Sequence, residues 1–368
     1  MARLTRVLVV NAGSSSLKWS VLDAENGKVL AGSGERWRGA DAGQRMKQMT
    51  EMVTTAGAVD AAGHRVTQGG MQFRAAVRLD VGVRQALEKL VPLDERHLGP
   101  ALAGIAAVTL AHPALPQIAA FDTAFHATMP AGAAQYAIPV EWTEGFEIRR
   151  FGFHGLSVDW AVSRAAELLG GVPAKLVVCH LGSGCSVTAV ESGRSVDTTM
   201  GFSPLEGVMM ATRSGSIDSG AILHLIMEKG LRASDIRTTL AEASGWFGVS
   251  GVSADLRDVL AAADGGNERA RLASELFVQS LRRSIGAMAG VLGGADTVVF
   301  TGGIGEASAR IRAQAAAALP GLWLDPGVNA AVGAEDAVIS APDSATRALV
   351  VHAREDLVIL REASRLLR

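Results

Sequence analysis

The chain has 368 residues, of which 35 are basic and 37 acidic, giving a formal charge of −2. At roughly 150 residues per domain this length points to two domains or one large one, and 48% apolar with 20% charged residues argues against a disordered chain. The balanced charge argues against a nucleic-acid or anionic-lipid surface, no stretch approaches the ~18 uninterrupted apolar residues of a membrane span, and two cysteines, Cys179 and Cys185, build no disulfide framework. The expectation is a soluble cytoplasmic protein with no nucleic-acid or membrane partner.

In chain order, the first predicted element is a short β-branched run, Val7–Val10, then a turn of small residues, Asn11–Lys18, and a second run, Trp19–Leu22. Short apolar runs bounded by glycine read as buried strands, so this is a β-hairpin with a Gly/Ser tip. A helix is predicted over Leu156–Leu169, with Trp160, Ala161, Ala165, Leu168 and Leu169 on its apolar face and Gly170-Gly171 as its stop. Leu176–Cys179, the turn His180–Ser186 and Val187–Val190 repeat the hairpin of the N-terminus. A long helix over Arg271–Leu292 would carry Leu272, Leu276, Phe277, Leu281 and Ile285 on one face. The run Thr297–Phe300 leads through the turn Thr301–Glu306 into a helix predicted over Ala307–Leu319, and Asp356–Leu367 closes as another helix. Interleaved strands and helices indicate an α/β fold, and the two matched hairpins indicate two similar domains.

Turns of this composition let backbone N–H groups converge without obstruction, with hydroxyls alongside, which suits phosphate oxygens. Taken singly, each also reads as an ordinary tight turn. Neither the Walker A loop nor the dinucleotide G-x-G-x-x-G fingerprint is present.

Eight segments in order then carry a family resemblance: VLVVNAGSSSLKWSVLD (7–23), GHRVTQGG (63–70), FDTAFHATMP (121–130), RRFGFHGLS (149–157), VVCHLGSGCSVTAV (177–190), DTTMGFSPLEGVMMATRSGSID (197–218), SGVSADLRD (250–258) and VFTGGIGE (299–306). The chain resembles the acetate kinases, of the acetate and sugar kinase, Hsp70 and actin superfamily. The resemblance implies two duplicated actin-like ATPase (ribonuclease H-like) domains with the active site in a cleft between them. The N-terminal domain would comprise 1–123 plus 357–368, and the C-terminal, nucleotide-binding and dimerising domain 124–356. It also implies reversible, direct in-line transfer of a phosphoryl group from ATP to acetate with Mg2+ (Mn2+ as a substitute), in a homodimer.

Joining a carboxylate to a phosphoryl group brings anions together, so catalysis must come from positioning and countercharge. By resemblance Arg65 and Arg213 supply that charge, Asp122 is the catalytic-site acid, and His154 stabilises the transition state. Phe153, Pro204, His97 and Arg65 would receive the acid. Lys18, Ser14 and Ser16, with His180, Gly182, Ser183 and Gly184, would hold the phosphates. Asp255, Leu256, Arg257, Gly303, Ile304 and Gly305 would hold the nucleoside, and Asn11 and Glu355 the metal. His126 reads as structural.

The pattern departs from the family at several positions. Ser183 and Ala307 each stand where an Asn is usual. Thr67 and Arg96 fall where apolar residues usually line the acyl pocket, and Gln68 and Val158 replace histidines. A polar Thr67 makes a kinase for propionate or a more polar carboxylate the alternative within enzymes. A non-catalytic actin-like nucleotide-binding protein is the alternative outside them.

Overall fold

The computed structural model describes residues 4–13, 16–36 and 42–367. Twelve strands run in chain order among them: β1 Arg6–Ala12, β2 Ser16–Asp23, β3 Val29–Arg36, β4 Ala61–Val66, β5 Val77–Arg78, β6 Gln117–Phe121, β7 Lys175–Leu181, β8 Cys185–Glu191, β9 Arg194–Thr198, β10 Thr297–Thr301, β11 Ala337–Val338 and β12 Arg347–Val350. They form two six-stranded sheets, ordered β3-β2-β1-β4-β6-β5 and β11-β12-β10-β7-β8-β9. Reversed, the second order maps onto the first strand for strand. In each sheet three antiparallel strands joined by tight turns come first, and two parallel strands are then added beside the first of them. This is the duplicated actin-like ATPase architecture.

Contacts divide the chain into two compact units, Met1–Ala127 with Phe153–Trp160 and Arg354–Arg368, and Thr128–Gly152 with Ala161–Ala353. Phe153–Trp160, assigned from sequence to the C-terminal domain, thus packs in the first unit.

The period-2 alternation of β1 sets up the first unit's core. Val7 and Val9 face one side, with Leu22, Ala61, Ile118, Ala120 and the closing helix Glu355–Leu367. Leu8 and Val10 face the other, with Leu17, Trp19, Val21 and residues of the helices Ala42–Thr54 and Glu95–Ala111. The closing helix buries Val358, Ile359, Leu360 and Ala363. At about 1.5–3 kcal/mol for each fully buried large aliphatic side chain, it is a major part of that core.

In the second unit the long helix spans Glu268–Leu292, capped by the Asn267 side chain on the Ala270 amide and ended by Gly293 at φ 65°. Its buried stripe includes Ala273, Phe277, Leu281, Ile285 and Met288. Leu272 and Leu276, expected on that face, are 48% and 43% exposed, because each lies one residue before the buried stripe at Ala273 and Phe277, about 100° around the helix from it. The helix expected over Ala307–Leu319 is also different. Helix begins at Gly302, directly after β10, and breaks at Ser308, whose side chain caps a second helix, Ala309–Ala316.

Two buried histidines make the fold acid-sensitive. His64 is hydrogen-bonded through Nε2 to Gln117 Oε1 at 2.8 Å and His126 to the Phe153 carbonyl at 3.0 Å. Burial holds the pKa of each down to about 4, below the ordinary 6.5. The unfolded chain therefore takes up protons that the folded one refuses as pH falls below 6.5. Each histidine then costs about 1.4 kcal/mol of stability per pH unit down to about pH 4. Urea midpoints measured from pH 7.5 to pH 4.5 should be flat to about pH 6.5 and fall steadily below it.

Candidate active site

Parallel pairing places the first charged group. β4 and β6 register Arg65 against Ala120 and Val66 against Phe121, so Arg65 and Asp122 emerge at the same end of adjacent strands. The Asp122 amide donates to the Val66 carbonyl at 2.9 Å. Arg65 Nε donates to Asp122 Oδ1 at 3.0 Å, and its Nη2 to Oδ2 at 2.6 Å, a two-point clasp that fixes the plane of the guanidinium. On its other side Arg65 Nη1 lies 3.3 Å from Glu355 Oε2, at the first turn of the closing helix. Burial opposes the charge on Arg65, but Asp122 and Glu355 outweigh it and hold its pKa above the ordinary value.

The Phe153–Gly155 segment is locked against the same strand end. The Gly155 amide donates to the Asp122 carbonyl at 2.9 Å, and a Cβ at Gly155 would lie 2.1 Å from that oxygen, so only glycine fits. His154 is held at φ 59°, a left-handed conformation rarely adopted by a non-glycine residue. Such strain persists only where surrounding structure enforces it, typically at functional positions. Phe153, 3% exposed, packs beside it in the chain. The structure therefore brings Arg65, Asp122, Glu355 and the His154 segment together in the first unit.

Asp94 joins this group without a signal in the motifs. Its Oδ2 accepts the Thr67 hydroxyl at 2.6 Å and its Oδ1 pairs with His97 Nδ1 at 2.8 Å. His97, expected near the acid, is thus tied to the residue that departs from the family pattern. Arg96, expected to line the pocket, is exposed instead, since it sits in the first turn of the helix Glu95–Ala111. Gln68 and Val158 are each fully buried. The Gln68 Oε1 accepts the Gly70 amide, and Val158 fills core space that a histidine would have to leave polar.

Of the N-terminal turn, Ser14 lies outside the described residues, as does the side chain of Ser16. Asn11 pairs in register with Lys18 across the hairpin, Asn11 half-buried and Lys18 exposed.

In the second unit the hairpin after β7 closes with the Gly182 amide on the Gly184 carbonyl at 2.9 Å. The loop carrying Arg213 docks on it, since the Ala211 amide donates to the Ser183 carbonyl at 3.2 Å. The charge of Arg213 also reaches Cys185, although burial dominates and pushes that thiol up to about 12. Arg213 Nη1 donates to the Pro204 carbonyl at 3.1 Å, so two expected site residues meet directly.

Behind them stands a network the motifs did not reveal. Tyr136, the only tyrosine in the chain, hydrogen-bonds Glu206 and accepts the Phe202 amide. Arg150 pairs with Glu206 at 2.8 Å and lies over the Tyr136 ring. These contacts hold the 199–207 loop that presents Pro204.

His180, one residue before the end of β7, lies opposite Thr301 of β10, and Gly302 packs so closely on Leu181 that a Cβ would lie 2.8 Å from its carbonyl oxygen. Ser183 and Gly303 are exposed, leaving both turns accessible, and Ile304 and Gly305 follow in the same short helix. Asp255 caps the helix Leu256–Asp264 through the Arg257 amide and pairs with the Arg257 side chain. Leu256 is buried, so only its backbone could meet a ligand.

The two units thus hold a carboxylate-clasped arginine with a strained histidine, and a glycine hairpin with a second arginine. Each is a group able to bind carboxylate or phosphoryl oxygens. The model of the acetokinase family matches residues 40–361. An acetate kinase of Gloeobacter violaceus is 46% identical over 324 residues, 87% of this chain and 80% of that protein. One from Methanosarcina acetivorans is 40% identical over 391 residues, 97% and 96% respectively. Among solved structures, Porphyromonas gingivalis acetate kinase superposes with a TM-score of 0.89 at 32% identity, covering 99% of this chain and all of that one. A propionate kinase from Francisella tularensis superposes at 0.91 and 31% identity, with the same coverage. The chain belongs to the acetokinase family, whose members are phosphotransferases with a carboxyl group as acceptor.

Proposed function

We propose that the protein catalyses reversible phosphoryl transfer between ATP and acetate, forming acetyl phosphate, as a cytoplasmic homodimer. The observation that carries this reading is Arg65, held by Asp122 and Glu355 in one fixed orientation at the end of β4.

A guanidinium fixed in this way binds a substrate carboxylate and keeps it oriented for attack without losing its own entropy at each turnover. Arg213, beside the glycine hairpin, neutralises the equatorial oxygens of the phosphoryl group in flight. His154 donates a hydrogen bond to the same oxygens, and Asp122 keeps Arg65 in place. The backbone amides of Gly182–Gly184 take the phosphates, and residues Asp255–Arg257 and Gly303–Gly305 the nucleoside.

Glu355 and Asn11 offer hard oxygen donors, and no group of three or more His, Cys, Asp or Glu suited to a metal exists among the described residues. Hard oxygen donors of this kind suit Mg2+, which retains waters and substrate phosphates as its other ligands. Bound there, Mg2+ would supply neutralisation of the polyphosphate. The helix Ser219–Met227 buries none of its residues, and Leu223 and Met227 are 55% and 74% exposed, a surface that a second copy would cover.

Incubation with Mg-ATP, acetate and hydroxylamine should trap the acyl phosphate as a hydroxamate. Acetate, propionate and butyrate all failing to give hydroxamate would overturn the reading.

A further inference from the structure

Glu206 is gripped from two sides. Its Oε1 accepts Arg150 Nη2 at 2.8 Å, and its other carboxylate oxygen accepts the Tyr136 hydroxyl. Arg150 is itself moored, since its Nη1 donates to the Thr198 and Thr199 carbonyls at 3.0 and 3.2 Å and its guanidinium lies 5.4 Å from the centre of the Tyr136 ring. The Tyr136 oxygen accepts the Phe202 amide at 2.9 Å. Burial, and then the Glu206 carboxylate, push the phenol pKa up, so Tyr136 remains a donor at neutral pH. A Cβ at Gly201 would collide with both the Glu206 carboxylate and the Tyr136 hydroxyl, so glycine there lets the pair lie against the loop backbone.

The residues on either side of Glu206 carry this anchoring to Arg213. Two positions earlier, the Pro204 carbonyl accepts Arg213 Nη1 at 3.1 Å. One position later, Gly207 and Ser216 exchange two hydrogen bonds: the Gly207 amide donates to the Ser216 hydroxyl, and the Ser216 amide to the Gly207 carbonyl, both at 3.0 Å. The turn bearing Arg213 closes with the Met210 amide on the Arg213 carbonyl at 3.1 Å. Backbone and guanidinium of Arg213 are thus both referred to the one loop that Glu206 holds, and all of these residues belong to the second unit. Countercharge acts on a phosphoryl group in flight only if it is already in place, and a misplacement of about 1 Å can cost about 10²-fold in rate.

Resting on the reading above, we infer that Glu206 is a positioning residue for phosphoryl transfer: pinned by Arg150 and Tyr136, it fixes the loop whose Pro204 carbonyl aims the Arg213 guanidinium. Without the carboxylate the loop loses its tie to both partners, and Arg213 keeps its charge but not its aim. Arg150 still has the Thr198 and Thr199 carbonyls, so the surrounding fold survives the loss.

The test measures hydroxamate formation from acetate, with kcat and KM for ATP resolved, and thermal unfolding. The full-length proteins compared are wild type, Glu206→Ala, Glu206→Gln, Tyr136→Phe, Arg213→Ala and Glu206→Ala/Arg213→Ala. Glu206→Ala should lower kcat about 10–100-fold while KM for ATP stays within about twofold. Glu206→Gln, whose amide can still pair with Arg150 and Tyr136, should recover to within about threefold of wild type. Tyr136→Phe, which deletes a single oxygen and keeps the ring, should lower kcat about tenfold. On Arg213→Ala, the further change Glu206→Ala should cost less than about threefold, because the group it aims is already gone. A Glu206 of general structural importance would impose its full loss again on Arg213→Ala, and that result overturns the inference. So would kcat within about twofold of wild type in both Glu206→Ala and Tyr136→Phe. A wild type that forms no hydroxamate from any short acid overturns the parent reading, whereas an active wild type matched by these two variants overturns only this one.

Discussion

Arg65→Ala should destabilise the protein by about 3–5 kcal/mol and abolish measurable phosphoryl transfer to acetate. The physical reason lies in what the truncation leaves behind. Asp122 has a side chain only 2% exposed, and Glu355 one 16% exposed, and both use Arg65 as counterion. Removing one partner of a buried ion pair strands the other charge in a poor solvent, which costs more than the pair contributed. The stranded carboxyl can escape by taking a proton, so its pKa in the folded variant should rise above that in the unfolded chain. A folded state that binds more protons than the unfolded one gains stability as pH falls. The deficit relative to wild type should therefore shrink between about pH 7 and pH 5. Urea unfolding of both proteins across that range checks it, and a deficit independent of pH would show that Asp122 does not depend on Arg65 for its charge.

Arg213→Ala should lower kcat by about 10³–10⁵, equivalent to roughly 4–7 kcal/mol of transition-state stabilisation, while leaving the fold largely intact. Its Nη1 is positioned by the Pro204 carbonyl and by the Met210 sulfur, at 3.7 Å. Loss of such hydrogen bonds costs about 1 kcal/mol each, so thermal unfolding should move little. The contrast with Arg65→Ala is the informative part, since Arg65 is held in a buried ion-pair cluster and Arg213 by a carbonyl and a sulfur. Initial-rate kinetics with KM for ATP and acetate measured separately tests this. A fall confined to KM, with kcat preserved, would place Arg213 in ground-state binding and not in transfer.

Much of this was legible in the residues. The two hairpins at Val7–Leu22 and Leu176–Val190 announced the duplication, because short valine runs joined by small-residue turns have few other structural solutions. The two arginines stand out only through motif context, since nothing in a lone Arg distinguishes a catalytic from a surface position. What could not be read was anything that depends on long-range register. Asp94 meets Thr67 only because the end of β4 and the start of the helix Glu95–Ala111 lie side by side. The clasp of Asp122 on Arg65 likewise follows from the pairing of β4 with β6 across 57 residues of sequence. Tyr136, Arg150 and Glu206 came from three separate stretches and left no common pattern. The errors were local. Leu272 and Leu276 were assigned to the buried face because apolar character alone does not tell which of two adjacent stripes a helix buries. Gly302-Gly303 was taken for a turn, whereas Gly302, at φ 77°, turns the chain from β10 into a helix with almost no loop.

The closing helix Glu355–Leu367 belongs to the same unit as β1, and this has a consequence for biosynthesis. Val358, Ile359, Leu360 and Ala363 fill the core against Val7, Val9 and Ile118. A nascent chain can therefore complete the second unit while the first still exposes one side of its sheet, reversing the usual N-to-C order in which domains mature during translation. Glu355, the second counterion of Arg65, arrives on that same helix. Arg65 thus gains this counterion only after the segments of the second unit have been synthesised.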